Sequence, residues 1–163
     1  MGTVSHLAEY TNWGANLAVV GATVLAVVLA ALTHFEGLTW FSNRLGRVGR
    51  VGGTKRRVVL YAVLSLILLH IVEIWLFGLA YHFLLLWTET GSISGAVSPS
   101  IFDHVYFSAT VFTTVGFGDL SPAGPIRFLA GTEALTGFVL IGWSASFTYL
   151  EMVQLWQPKR EPH

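Results

Sequence analysis

Three long apolar stretches and one short one run through this chain, with its polar residues gathered between them. The first, Gly14–Phe35, has no Asp, Glu, Lys or Arg and makes about 33 Å of helix at about 1.5 Å per residue, enough to cross a bilayer. Ala15, Ala18, Gly21, Ala22, Ala26 and Ala30 recur in it near helical spacing, a pattern suited to close packing on a neighbouring helix. The second, Val58–Trp87, carries a single charged side chain, Glu73, and corresponds to about 45 Å of helix. It must tilt or project beyond the membrane. The third runs from Ile126 to Leu150 with only Arg127 and Glu133 charged. The segment between the second and third is different in kind. Ile101–Thr113 has a helical pattern, begun by Ser100 and Asp103 as an approximate capping box, but reaches only about 20 Å, too short to span. The glycine-rich stretch Thr113-Thr114-Val115-Gly116-Phe117-Gly118-Asp119 follows, and Leu120-Ser121-Pro122-Ala123-Gly124-Pro125 reads as a loop. A short helix and an irregular return between two spans predict a re-entrant segment. Unsatisfied backbone groups in lipid cost several kcal/mol each, so this stretch must line water or be enclosed in protein.

Composition agrees with a membrane chain. Apolar residues make up 53% and charged residues 11%, against about 25% charged in soluble domains. Equal numbers of basic and acidic residues leave no net charge, which offers no case for nucleic acid as a partner. There is no cysteine, hence no disulfide framework and no thiolate metal site. The N-terminus does not read as a cleaved signal, since it lacks a Lys or Arg n-region and its apolar run exceeds roughly 7–15 residues.

The distribution of charge sets the expected orientation. Arg44, Arg47, Arg50, Lys55, Arg56 and Arg57 crowd residues 36–57, whereas Met1–Trp13 and Thr88–Pro125 have no Lys or Arg. Residues 1–35 are therefore expected to be an outside N-terminus and an additional transmembrane helix. Residues 36–57 are expected to be a basic cytoplasmic loop, 58–150 a pore unit entered from outside, and 151–163 a short cytoplasmic tail. The six basic residues are placed at anionic lipid headgroups, with a short interfacial helix over Leu38–Leu45 as one option. Arginine at every third position is also how a voltage sensor carries charge. Gly46, Gly49, Gly52 and Gly53 weaken a helix there by about 1 kcal/mol each, so the lipid reading is preferred.

The chemistry rests on Thr114–Gly118. A cation can shed its water only if other oxygens replace it, and backbone carbonyls do this when the chain alternates through conformations open mainly to glycine. Gly116 and Gly118 meet that backbone need, Thr114 adds a hydroxyl at the inner mouth, and Asp119 places an acceptor and a negative charge at the outer end. At these residues the sequence resembles the potassium channel pore-domain family, whose filter is written TVGYG. The resemblance covers about residues 57–150 as outer helix, pore helix, filter and inner helix. It implies an all-α membrane protein with three transmembrane helices, a re-entrant pore helix and a selectivity-filter loop, assembled as a homotetrameric pore in the cell membrane. Thr114, Val115, Gly116, Phe117 and Gly118 would form the filter, with K+ held at Thr114 to Phe117 as the permeant ion and no cofactor. Thr110, Thr113, Asp119, Tyr106 and Phe107 would support it, and Gly137, ten residues after Arg127, stands where the family has a hinge glycine. A close helix contact is the other use of a glycine there. With Gly137 as hinge, Phe138, Ile141, Ala145 and Tyr149 would face the lower cavity.

Two departures from the family matter. Phe117 replaces the usual tyrosine and has no hydroxyl to tie the filter to the pore helix, so packing on Tyr106 and Phe107 is expected to take over part of that role. Thr110 stands where some relatives have a glutamate, which removes a carboxylate pair with Asp119. Glu133 lies deep in the last span and must be protonated, hydrogen-bonded or aimed into the bundle, with Glu73, His70 or the pore helix as partner. It is a candidate brace or gating modulator. His70 and Glu73 lie on one helical face as an internally satisfied pair, with His82 three turns on.

The reading is a passive potassium-selective channel and not an enzyme. Alternatives are a weakly selective monovalent cation channel, a non-conducting channel-associated subunit, or an intramembrane metalloenzyme using His70, Glu73 and His82.

Overall fold

The computed structural model describes residues 12–50, 55–95 and 100–156. Its elements in order are α1 (Trp13–Arg50), α2 (Lys55–Leu84), a 3-10 turn at Thr88–Thr90, β1 (Ser92–Ser94), α3 (Ile101–Phe112), β2 (Ser121–Ala123) and α4 (Arg127–Trp156). Among the described residues three helical segments are long and apolar enough to cross a membrane: Trp13–Arg44, Arg56–Leu84 and Arg127–Val153. The short α3 sits between the last two and packs on both α2 and α4.

The first helix joins the rest through one stripe. Ala15, Val19, Thr23, Ala26, Ala30, His34, Leu38 and Phe41 are buried at spacings of three and four, which keeps them on one helical face. Small residues let α1 approach closely, as expected for Ala15, Ala26 and Ala30, but Gly21 looks outward with nothing beside it. The same stripe corrects one boundary. The segment expected to become a loop at Glu36 continues as helix to Arg50, through Gly46 and Gly49. Leu38 and Phe41 are buried with Leu66 and Leu69 of α2, and Phe147 of α4 packs on them, so tertiary contact offsets the glycine penalty. Arg44 lies 4.8 Å over the ring of Trp40. The side chains of Arg47, Arg50 and Lys55 lie outside the described residues.

The main core gathers Phe77 and Tyr81 of α2, Phe107 and Phe112 of α3, and Leu129 and Leu140 of α4. Tyr81 meets Phe107 edge-on at 5.0 Å, and Trp75 meets Phe102 in the same way at 6.1 Å. A two-stranded antiparallel ribbon closes one end, with Ser92 opposite Ala123 and Ser94 opposite Ser121. It ties the connection after α2 to the connection before α4, and the glycine-rich stretch lies between α3 and that ribbon.

Candidate pore loop and its supports

The short helix α3 starts where its sequence says it should. Ser100 caps it: the Asp103 amide donates to the Ser100 hydroxyl, and the Ser100 amide donates to the Asp103 carboxylate at 2.7 Å. The Ser100 amide, and after it the Ser100 hydroxyl, hold the Asp103 carboxyl below its usual range. At the other end the helix hands its last carbonyls to the loop. The Thr114 amide donates to Val111 O at 2.9 Å and the Gly116 amide to Thr110 O at 3.1 Å, while the Thr113 hydroxyl donates back to Ala109 O.

The loop alternates. Thr114, Gly116 and Gly118 have φ of 59°, 51° and 84°, the left-handed region, with an ordinary φ at Val115 and Phe117 between them. A Cβ placed on Gly116 or Gly118 would meet nothing within 4 Å, so backbone conformation and not crowding requires glycine there. Thr114 adopts the same region despite a β-branched side chain, an uncommon state that marks a constrained site. All seven residues Thr113–Asp119 are exposed on the single chain, including Val115 at 54% and Phe117 at 70%.

The supports differ in part from expectation. Among the described residues no ring contact involves Phe117, so the expected packing on Tyr106 and Phe107 of its own chain is absent. The hydroxyl missing from Phe117 is supplied elsewhere: Tyr106 donates to Asp119 Oδ2 at 2.9 Å. That bond raises the Tyr106 phenol above its usual value. Phe107 is buried against Tyr81. Thr110 spends its hydroxyl on Phe107 O, and its carbonyl holds Gly116.

Glu133 is fully buried and stands behind the loop. Of the partners expected for it, the pore helix is correct, whereas Glu73 and His70 are not. Tyr81 of α2 donates to Oε2 at 2.6 Å, and Ser108 of α3 lies on Oε1. Ser108 Oγ is also 2.9 Å from Ile74 O. A hydroxyl has one proton. A neutral Glu133 carboxyl donating to Ser108, which then donates to Ile74, gives every proton an acceptor and leaves no charge in the bundle. One side chain of α4 thus fastens α2 to the pore helix.

Gly137 sits against the end of α3. A Cβ there would lie 2.0 Å from Phe112 O and 2.8 Å from its carbonyl carbon, and α4 is unbroken through this point. Close contact accounts for this glycine. Phe138, Ile141, Ala145 and Tyr149 share an exposed face of α4.

Glu73 is clasped from two helices. His70 Nδ1 lies 2.8 Å from Oε2, as expected, but His34 Nδ1 of α1 lies 2.8 Å from Oε1, and sequence reasoning missed it. Glu73 and His34 are wholly buried, and Trp143 of α4 lies 5.3 Å from the His34 ring. The ligand atoms of His34, His70 and Glu73 lie within 4.8 Å of one another, but each imidazole is already hydrogen-bonded to its own carboxylate oxygen. His82, the third ligand of the metalloenzyme alternative, is not in this group and meets His104 instead. The available signal for His34 was the one ionisable side chain of an apolar span, facing a helix with a buried acid.

Comparison with known proteins adds one finding. No curated protein and no solved structure matches the chain. The model of the ion channel family, which describes two-helix potassium-channel pore domains, matches residues 59–153. That range takes in the outer helix α2, the pore helix, the alternating loop and nearly all of α4. The chain is a member of this ion channel family, an all-α membrane protein that carries one helix more than the pore unit itself.

Proposed function

We propose that the protein is a potassium-selective channel built from four copies of this chain, with K+ passing between the carbonyls of Thr114, Val115, Gly116 and Phe117. The observation that carries the reading is an exposed loop between two spans, with left-handed φ at Thr114, Gly116 and Gly118. Alternation of that kind turns successive carbonyls to the same side, and one chain alone supplies only one strand of an oxygen cage. Lipid cannot satisfy such a backbone, so copies related by cyclic symmetry around a water-filled axis are the economical solution. The same symmetry covers the apolar side chains Val115 and Phe117 that the single chain leaves bare. The pore helix points its C-terminal, partially negative end toward the axis, which favours a cation. The basic residues Arg44, Arg56 and Arg57 lie on the end we assign to the cytoplasm, where they suit anionic headgroups.

Purified protein in vesicles loaded with potassium should take up a tracer cation down the resulting potential, with block by barium and no uptake when sodium replaces potassium. Native mass spectrometry should give four chains. Gly116→Ala places a side chain at φ 51° and should abolish uptake while the tetramer persists. Uptake unaffected by Gly116→Ala, or equal uptake with sodium, would remove the reading.

A further inference from the structure

A second histidine cluster lies apart from the pore loop and from Glu73. His82, in the last turn of α2, and His104, in the first turn of the pore helix, approach with their Nδ1 atoms 3.4 Å apart and their rings tilted by 58°. That separation is long for a nitrogen–nitrogen hydrogen bond. His104 is only 4% exposed, and its Nε2 has no hydrogen-bond partner among the described residues. Beside the pair opens a cavity of about 420 Å³, lined by both histidines, Leu85, Leu86, Thr88 and residues 91–93.

The geometry points to a binding site for a divalent transition-metal ion of the zinc type, held by Nδ1 of His82 and Nδ1 of His104 at the cavity wall. Two nitrogens each about 2.0–2.1 Å from a tetrahedral zinc stand about 3.3–3.4 Å apart, the spacing found here. Imidazole is a preferred donor for such ions, and water from the cavity would fill the two positions that the histidines leave open. The cluster around Glu73 differs in its Nδ1 atoms: both are engaged with the carboxylate at 2.8 Å, and His34 and Glu73 have no exposure, although His34 Nε2 likewise finds no hydrogen-bond partner among the described residues. An ion at His82 and His104 would tie the outer helix to the start of the pore helix, on the side of the molecule where the loop ends at Asp119.

The test uses the full chain in detergent and does not depend on ion conduction. Zinc chloride titrated into the metal-free protein by calorimetry should show a site that His82→Gln and His104→Gln each weaken by more than the roughly 10–100-fold typical of losing an outer-shell partner. His34→Gln should leave it intact. Zinc should also raise the melting temperature of the wild type and not that of His82→Gln, whose half-buried position makes it the safer variant for folding. Zinc binding unchanged in His82→Gln, zinc binding lost only in His34→Gln, or no binding by the wild type would each overturn the assignment.

Discussion

Thr113–Asp119 is exposed along its whole length, whereas Phe112, Ser108, Tyr81 and Glu133 immediately behind it are buried and bonded. The two regions also use glycine for opposite reasons. Gly116 and Gly118 have empty space where a Cβ would go and a backbone that disfavours one, while Gly137 has a helical backbone and no space. The loop is shaped by conformation and lies bare on the single chain; the scaffold is shaped by packing within it. Changes in the scaffold should therefore reduce stability, and changes in the loop should alter ion passage in a protein that still folds.

The largest effect should come from Glu133→Ala. It strands the buried Tyr81 hydroxyl, at about 1–3 kcal/mol, leaves a cavity and cuts the link from α4 to Ser108, and should sharply lower the melting temperature. Glu133→Gln can accept from Tyr81 and donate to Ser108, so it should keep both stability and the pH–flux curve; a shifted curve in intact tetramers would make Glu133 a gating group instead. Gly137→Ala comes next. Its methyl group would push on the Phe112 carbonyl, at about 1–3 kcal/mol for overpacking, read as a lower melting temperature with unchanged ion preference in whatever protein assembles.

Tyr106→Phe should act on the other side of the comparison. Removing an exposed hydrogen bond is worth about 0.5–1.5 kcal/mol, too little to unfold the chain, but it frees Asp119 at the end of the loop. The expected result is an unchanged melt with shorter open times in single-channel records. The smallest effect concerns the Ser100–Asp103 cap. The Asp103 carboxyl is held below its unfolded value, so its stabilisation is complete above the unfolded pKa and fades as pH falls through the folded one. The gap in melting temperature between wild type and Asp103→Asn should thus narrow as pH drops from about 5 to about 3.

What could be read from sequence depended on range. The short helix was legible because its cap lies within four residues, and the loop because Gly116 and Gly118 state a backbone requirement directly. The continuation of α1 to Arg50 was not, because Gly46 and Gly49 argue locally against a helix that Leu38 and Phe41 hold through α2 and α4. The ribbon was hidden for a similar reason: three residues a side, one of them Pro122, carry no strand pattern, and pairing across the loop makes them strands. His34 lies 39 residues from Glu73, and the Tyr106 bond to Asp119 depends on how the loop folds back. Partners at that range follow from helix docking, which periodicity alone does not specify.

The central claim is that the alternating loop selects potassium through its backbone. The most direct test is the reversal potential of single channels in a planar bilayer with potassium on one side and sodium on the other. Strong displacement toward the potassium equilibrium potential is predicted. A reversal near zero in the wild-type protein would contradict a potassium filter and leave a non-selective pore.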